Sequence, residues 1–418
     1  MMSLKLSIPR GIIYHSLFED VKWLICAFFS RLDEKKPVQA FEQAFSNLMK
    51  VKHTVAFPFA RTAIYFALKH QNFGKGAEII MPPITIKGIL DVVLQLGLKP
   101  VFVDLDPDTL CFDEEKFNQA ITPNTKAVLF TYLFGIVPNL DALMTISKNH
   151  QLFVMEDFSQ CLNGEFNQQK LGTFGDVGIY SASSIKTLDT YGGGMLITNN
   201  DAIYAAMLRE QSTLKIAERS ILISKIITDL IRNLATNRFI FSIAVIHLLK
   251  ILNRISPDSL VKQTGDRQKS MISKMPEEWF QAFTSLQAKV GLSIIPRLKH
   301  QDAQRIANVD QLKSNINPEA IAFPKGANGG KNVYWQLIGY IKKHQDVQRK
   351  LQKFGVDTAR SSLLQISDLK DYPYQGHTPN ATQLYQTGYF VPSYPSLSQS
   401  DLQRVSQAFN SLAENPPK

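Results

Sequence analysis

Between Glu156 and Asn199 the chain brings together three kinds of residue that chemistry could use: an acid, a lysine and a run of glycines. Asp157 closes the apolar run LFVME, Lys186 follows the run VGIYS, and Gly192 to Gly194 lead into MLIT. Each apolar run reads as a short buried strand. A lysine amine condenses with an aldehyde to a Schiff base, and a carboxylate facing a heterocyclic nitrogen keeps it protonated, so that the ring accepts electrons from a carbanion. A cofactor matching this grouping needs an aldehyde, a ring nitrogen and a phosphate, and pyridoxal 5'-phosphate has all three. Gln160, three residues after Asp157, is a candidate to lie against the ring hydroxyl, and Ser181 a candidate to offer its hydroxyl to the phosphate. Singly these residues are ordinary, since a strand-end Asp often caps a helix and an isolated Lys is usually a solvated charge. The joint pattern carries the reading.

The strands that must position these groups belong to an α/β pattern, in which functional side chains gather at the carboxyl ends of strands. The segments EDFSQ, KLGTFGDVGIYSASSIKTL and YGGGMLITNND are flanked by ARTAIYFAL, GLKPVFVDLDPDTL, TKAVLFTYLFGIVPNLDAL and a closing FVPSYPSLSQSDLQRV. On these segments, in this order, the chain resembles the DegT/DnrJ/StrS aminotransferases, fold type I pyridoxal-phosphate enzymes acting mostly on nucleotide-linked keto-sugars. The resemblance covers about residues 37–210 closely and 275–410 loosely. It implies a large domain with a mostly parallel sheet plus a smaller C-terminal α+β domain.

Residue by residue, the resemblance implies that Lys186 forms the Schiff base, Asp157 partners the pyridine nitrogen, Gln160 flanks the ring and Ser181 binds phosphate. Thr62 with the amide of Ala63 matches the phosphate cup, where a helix N-terminus offers N–H groups and a favourable dipole to an anion. TVAFP before it reads as a strand and TAIYFALKH after it as a helix, although a plain helix cap is the alternative for Thr62. Arg360, in DTARSSL, is a candidate for a donor carboxylate or a substrate phosphate. The chain also departs from the family pattern. Ile86 in PPITI stands where an aromatic ring usually stacks on the cofactor, Ser183 where many relatives have histidine, Thr187 where many have asparagine, and Gly192 where many have glutamate. These positions lie nearest the reacting carbon, and Ser183 is a candidate substrate contact. A lysine at 186 separates the chain from the dehydratase branch, which carries histidine there.

Length and composition bound the rest. A chain of 418 residues suits two domains, and 44% apolar with 20% charged residues is the mix of a globular protein. Cys26, Cys111 and Cys161 have no paired spacing, and the eight histidines show no metal-ligand pattern, so no metal site is expected. The net charge is +10. Nucleic-acid binding would require basic clusters interleaved with aromatics, and the sequence has none.

The segment from Lys215 to Lys262 alternates apolar triplets with Lys225, Arg232, Arg238, Lys250 and Arg254, and reads as two helices of an insertion. Its longest apolar stretch, Phe239 to Leu249, is far below the roughly 20 residues needed to span a bilayer. Basic amphipathic helices can lie in a membrane interface, or they can bury their apolar faces against the protein or a second subunit. Leu17 to Phe29 is apolar and aromatic but lacks the order of a signal peptide, and it raises the same two alternatives. The expected division is an arm over 1–36, a cofactor domain over 37–210, a basic insertion over 211–274, and a long helix with a small domain over 275–418. The implied activity is amino transfer from glutamate or glutamine to a nucleotide-linked keto-sugar by a cytoplasmic homodimer, with possible peripheral membrane contact. Two rivals stay open: a pyridoxal-phosphate enzyme for a lipid-linked or small keto acid, and a non-catalytic binding protein that keeps the fold.

Overall fold

The computed structural model describes residues 6–255, 271–342 and 346–413. Seven strands build the central sheet: β1 (His53–Phe57), β2 (Glu78–Met81), β3 (Lys99–Phe102), β4 (Thr125–Thr131), β5 (Phe153–Asp157), β6 (Val177–Ser181) and β7 (Gly194–Thr198). Their order is β1-β7-β6-β5-β4-β2-β3, and β7 alone runs against its neighbours. Such a sheet needs helices on both faces, which is why its strands read as nearly continuous apolar runs.

The first helices are α1 (Leu17–Phe29), α2 (Lys35–Met49), α3 (Ala60–Gln71), α4 (Lys87–Gln95), α5 (Glu114–Ala120), α6 (Leu140–Asn149) and α7 (Asp201–Ser212). Alternation along the strands splits the core in two. Val128, Phe130 and Val154 pack with Phe41 and Phe45 of α2 on one face. Leu129, Met155 and Ile179 pack with Ile64 of α3 and Ile89 of α4 on the other. The TVAFP strand and the helix after it form as expected, while the FGKGAE segment turns through left-handed Gly74 and Gly76 before Glu78 opens β2.

The basic segment after α7 folds as α8 (Arg219–Thr236), α9 (Arg238–Ile240), a π turn over Phe241–Val245, and α10 (Ile246–Ile255). Residues 256–270 of the expected insertion lie outside the described residues. α8 packs along α1 and buries Leu222, Ile226 and Asp229. Its opposite side leaves Ile227, Ile231 and Leu234 exposed, as α1 leaves Phe18 and Phe29. Among the described residues no single helix is long and apolar enough to cross a membrane. α8 with the helix after it reaches that length and composition together, but the pair bends by 57°.

The long helix expected after PEEWF is α11 (Ser285–Asn315), started by a capping box between Thr284 and Gln287; PEEWF itself lies in a 3-10 turn before it. Beyond it, β8 (Leu337–Tyr340) and β9 (Gly388–Val391) pair antiparallel. They share a further core with α12 (Val347–Gln352), α13 (Pro379–Thr387) and α14 (Gln399–Asn410). The strand expected over Asn332–Ile341 is confined to Leu337–Tyr340. The residues before it are tied to the turn after β4 instead: the Val333 and Tyr334 amides both donate to the Gly135 carbonyl, and Tyr334 is left-handed at φ 48°.

Candidate functional site

Asp157 ends β5, and Ser181 ends the adjacent β6. Gly194 opens β7, in register with Ser181 on one side and with Phe57 of β1 on the other. The strand ends therefore form one line, with the start of α3 just beyond Phe57. Because β5 alternates, Glu156 and Asp157 face opposite ways. Glu156 is an anchor: it accepts hydrogen bonds from the Tyr132 hydroxyl (2.6 Å) and from the amides of Gly172, Phe174 and Gly175 (2.7 Å each). Asp157 lies on the α3 and α4 side, where one carboxylate oxygen accepts the Ser159 amide at 3.0 Å. Burial raises the Asp157 pKa, while Ser159 and the nearby Lys186 charge oppose that rise. Beside it in register, the Thr131 hydroxyl is buried with no hydrogen-bond partner among the described residues.

Lys186 sits in the loop between β6 and β7, half-buried. Loss of water around its ammonium lowers its pKa to about 8, against the pull of Asp157 and Asp189. The residue before it, Ile185, is left-handed at φ 69°, a conformation that a β-branched side chain tolerates only under constraint. The constraints are visible. The Ile185 amide donates to Asp189 at 3.2 Å, and the Ile185 carbonyl accepts the Trp335 indole N–H at 2.8 Å. The same indole lies 4.0 Å from the Lys186 ammonium, measured to the ring centre, a cation–π contact.

The remaining candidates land as follows. The Ser181 and Ser183 hydroxyls are 2.9 Å apart. Gln160 is buried, and its side-chain oxygen accepts the Phe134 amide at 2.7 Å, holding left-handed Phe134 in its turn. The Thr62 hydroxyl donates to the Trp279 carbonyl at 2.7 Å, and the amides of Thr62 and Ala63 both donate to the Phe59 carbonyl. Those two amides thus serve the first turn of α3. Ile86 stands immediately before α4 and is 38% exposed. Arg360 pairs with Tyr389 in an isolated bridge and reaches the Gln386 carbonyl at 3.4 Å, contacts that belong to the C-terminal elements.

Sequence reasoning missed Trp335, because the segment around it reads as a strand, in which alternation alone assigns no partner. It also missed how closely α8 and α1 hold the lysine loop. The Ser184 hydroxyl donates to Asp229 of α8 at 2.5 Å and receives Arg232 at 2.6 Å. Tyr191 donates to Asp20 of α1 at 2.6 Å, and Asn233 of α8 reaches the other oxygen of that carboxylate at 2.7 Å. No local spacing signals contacts between residues so far apart in sequence.

The profile of the DegT/DnrJ/EryC1/StrS aminotransferase family matches residues 27–222 and 279–410. Among curated proteins, the chain is 35% identical over 172 residues to the spore coat polysaccharide biosynthesis protein SpsC of Bacillus subtilis, covering 41% of this chain and 44% of that one. It is also 35% identical over 167 residues to a GDP-perosamine synthase of Caulobacter vibrioides, covering 40% and 45%. The chain thus spans somewhat under half the length of these relatives. Among solved structures, a sugar aminotransferase from Micromonospora echinospora superposes with a TM-score of 0.73 at 18% identity, over 97% of this chain and 99% of that one. The fold is the expected α/β fold of type I.

Proposed function

The chain belongs to the DegT/DnrJ/EryC1/StrS aminotransferase family, and on that premise we propose that it is a pyridoxal-phosphate-dependent aminotransferase acting on a nucleotide-linked keto-sugar. The observation that carries the reading is that Asp157 ends β5 while Lys186 lies in the loop that follows the neighbouring β6, with Trp335 over its ammonium. The residues fit the cofactor. A buried carboxylate with a raised pKa asks for a cationic N–H, a lysine with a lowered pKa is a ready nucleophile, and the orphaned Thr131 hydroxyl faces the same side. When bound, pyridoxal 5'-phosphate supplies the aldehyde that takes up an amino group and the ring that accepts the electron pair of a broken C–H bond.

The chain's own residues do the rest. Lys186 would hold the cofactor through its amine, which would also serve as the general acid–base that carries the proton. Asp157 would stabilise positive charge on the ring nitrogen. Ser181, with Ser183 beside it, would offer a hydroxyl to the phosphate, and Trp335 covers the lysine amine. Glutamate or glutamine is the proposed donor, and a nucleotide-linked amino sugar for surface polysaccharide the proposed product. The names of SpsC, a spore coat polysaccharide biosynthesis protein, and of GDP-perosamine synthase support the product class.

The division into an arm, a cofactor domain, an insertion and a C-terminal domain belongs to the same proposal, as do a homodimer and a cytoplasmic location with the apolar faces of α1 and α8 to α10 toward a membrane. The test is direct. Purified protein mixed with pyridoxal phosphate turns yellow, and glutamate with a nucleotide-linked keto-sugar discharges and restores the colour. Colour without turnover on any nucleotide-sugar, but with turnover on a small keto acid, would replace the substrate. No colour would defeat the reading. Vesicles of anionic lipid that fail to sediment the protein would remove the membrane contact alone.

A further inference from the structure

Ile185, directly before Lys186, is left-handed at φ 69°, yet its own side chain is 36% exposed. Packing on that side chain is therefore too slight to keep a β-branched residue in so unfavourable a conformation. Hydrogen bonds around it must do so, and those that hold Ser184 come from one face of α8.

Asp229, Arg232 and Asn233 are spaced i, i+3 and i+4, so they share that face. The Asp229 carboxylate is buried and accepts the Ser184 hydroxyl at 2.5 Å. Arg232 donates to the same hydroxyl oxygen at 2.6 Å and to the Asp229 carboxylate at 3.2 Å. This triangle fixes a hydroxyl two residues before Lys186. Asn233 gives its side-chain N–H groups to the arm, reaching the His15 carbonyl and the Asp20 carboxylate at 2.7 Å each. His15 in turn donates to the Asp189 carbonyl at 2.9 Å, and the Tyr191 hydroxyl donates to Asp20 at 2.6 Å. Asp189 closes the far side of the loop, where its carboxylate accepts the amides of Ile185 at 3.2 Å and Tyr191 at 2.8 Å.

The loop is thus gripped at Ser184 and again at Tyr191. The gripping side chains of the arm and of α8 all lie outside residues 27–222 and 279–410, which the family profile matches. With Ser184 fixed on one side, and the Ile185 amide and carbonyl fixed by Asp189 and Trp335 on the other, the backbone at 185 has one setting. That setting decides where the Lys186 side chain starts.

We propose that Asp229 is a positioning residue for Lys186: by holding Ser184 it sets the left-handed turn at Ile185 from which the lysine side chain departs. The inference rests on the aminotransferase reading for the role of Lys186. It assigns part of that lysine's orientation to a helix of the basic insertion.

The experiment is a double-mutant cycle on full-length protein freed of cofactor, with two readouts. One is the rate of pyridoxal phosphate capture, followed by absorbance. The other is hydrogen exchange of the peptide spanning Ser184 to Tyr191. S184A and D229A should each slow capture about tenfold, the loss of one charge-assisted hydrogen bond. Each should also speed exchange in that peptide and leave the peptides of β5 and β6 as they were. S184A/D229A should be no slower than either single variant, because both substitutions remove one contact. D229N, which can still accept the Ser184 hydroxyl, should stay within about threefold of wild type. S184A leaves α8 whole, so it reads the contact even where D229A does not fold. Additive losses in the double variant, or unchanged exchange in S184A, would mean that Asp229 only supports the fold and would overturn the assignment. Wild type that captures no pyridoxal phosphate would defeat the aminotransferase reading, while faster loop exchange in S184A would still uphold the grip on the loop, so the two failures are distinguishable.

Discussion

The strand-end edge formed by β5, β6 and β7 and the helical segment α8 to α10 are built by opposite rules. At the edge, nearly every side chain is enclosed and given one task by the pleat: Glu156 anchors a loop, Asp157 faces the α3 and α4 side, and Gly194 lets the backbone of Phe59 and Ala60 come close. In the helical segment only one face is committed. Leu222 and Ile226 are buried, while Ile231 is 60% and Phe239 58% exposed. Yet the two regions meet at the lysine loop, through Asp229 and Arg232 on Ser184 and through Lys225 beside Gly192. The helical segment is therefore structurally continuous with the lysine loop.

The largest expected effect lies at the edge. Lys186→Ala removes the proposed covalent anchor and proton carrier together, so both yellow colour and turnover should fall below detection; retained transamination would break the contrast. Next come the two neighbouring acids, which should separate cleanly. Glu156→Ala strands the Tyr132 hydroxyl and three amides, and should lower stability by about 3 kcal/mol or more in chemical denaturation. Asp157→Asn should behave otherwise. Burial raises the folded pKa of Asp157, so the cofactor-free fold gains from protonation there, and that gain is lost as pH rises through the folded value. At neutral pH the amide variant should be at least as stable as wild type when free of cofactor, yet bind the cofactor poorly.

On α8 the two faces should differ in the same manner. Ile226→Ala leaves a cavity and should cost about 2–5 kcal/mol, whereas Ile231→Ser on the outer face should change stability by about 0.5 kcal/mol or less. A large loss at Ile231 would mean that the outer face is covered in solution. A further expected effect is on rate. With the Lys186 amine at about 8, its neutral, nucleophilic fraction falls about tenfold per pH unit below that value. Stopped-flow capture of pyridoxal phosphate should slow accordingly and level off above it.

Much of the edge was legible in the sequence because strand ends are set by local pattern. The run ending at Asp157 and the run ending at Ser181 are the strands observed. What could not be read depends on partners distant in sequence. The Thr62 hydroxyl is engaged by the Trp279 carbonyl, and Gln160 by the Phe134 amide. Trp335 reaches the lysine only because the residues before β8 loop back onto Gly135. In the helical segment, basic residues spaced among apolar ones gave the helical character but two helices, where the described part to Ile255 is α8, α9, a π turn and α10. Periodicity cannot say that Lys225 turns inward while Arg232 lies half-exposed over Ser184.

The most direct test is to load the protein with pyridoxal phosphate, reduce the adduct with borohydride, and map the modified peptide by mass spectrometry. The account predicts a single pyridoxyl-phosphate group on Lys186, absent when Asp157 is replaced by alanine and the cofactor is supplied at limiting concentration. A label on Lys225, Lys87 or another lysine, or no label at all, would contradict it.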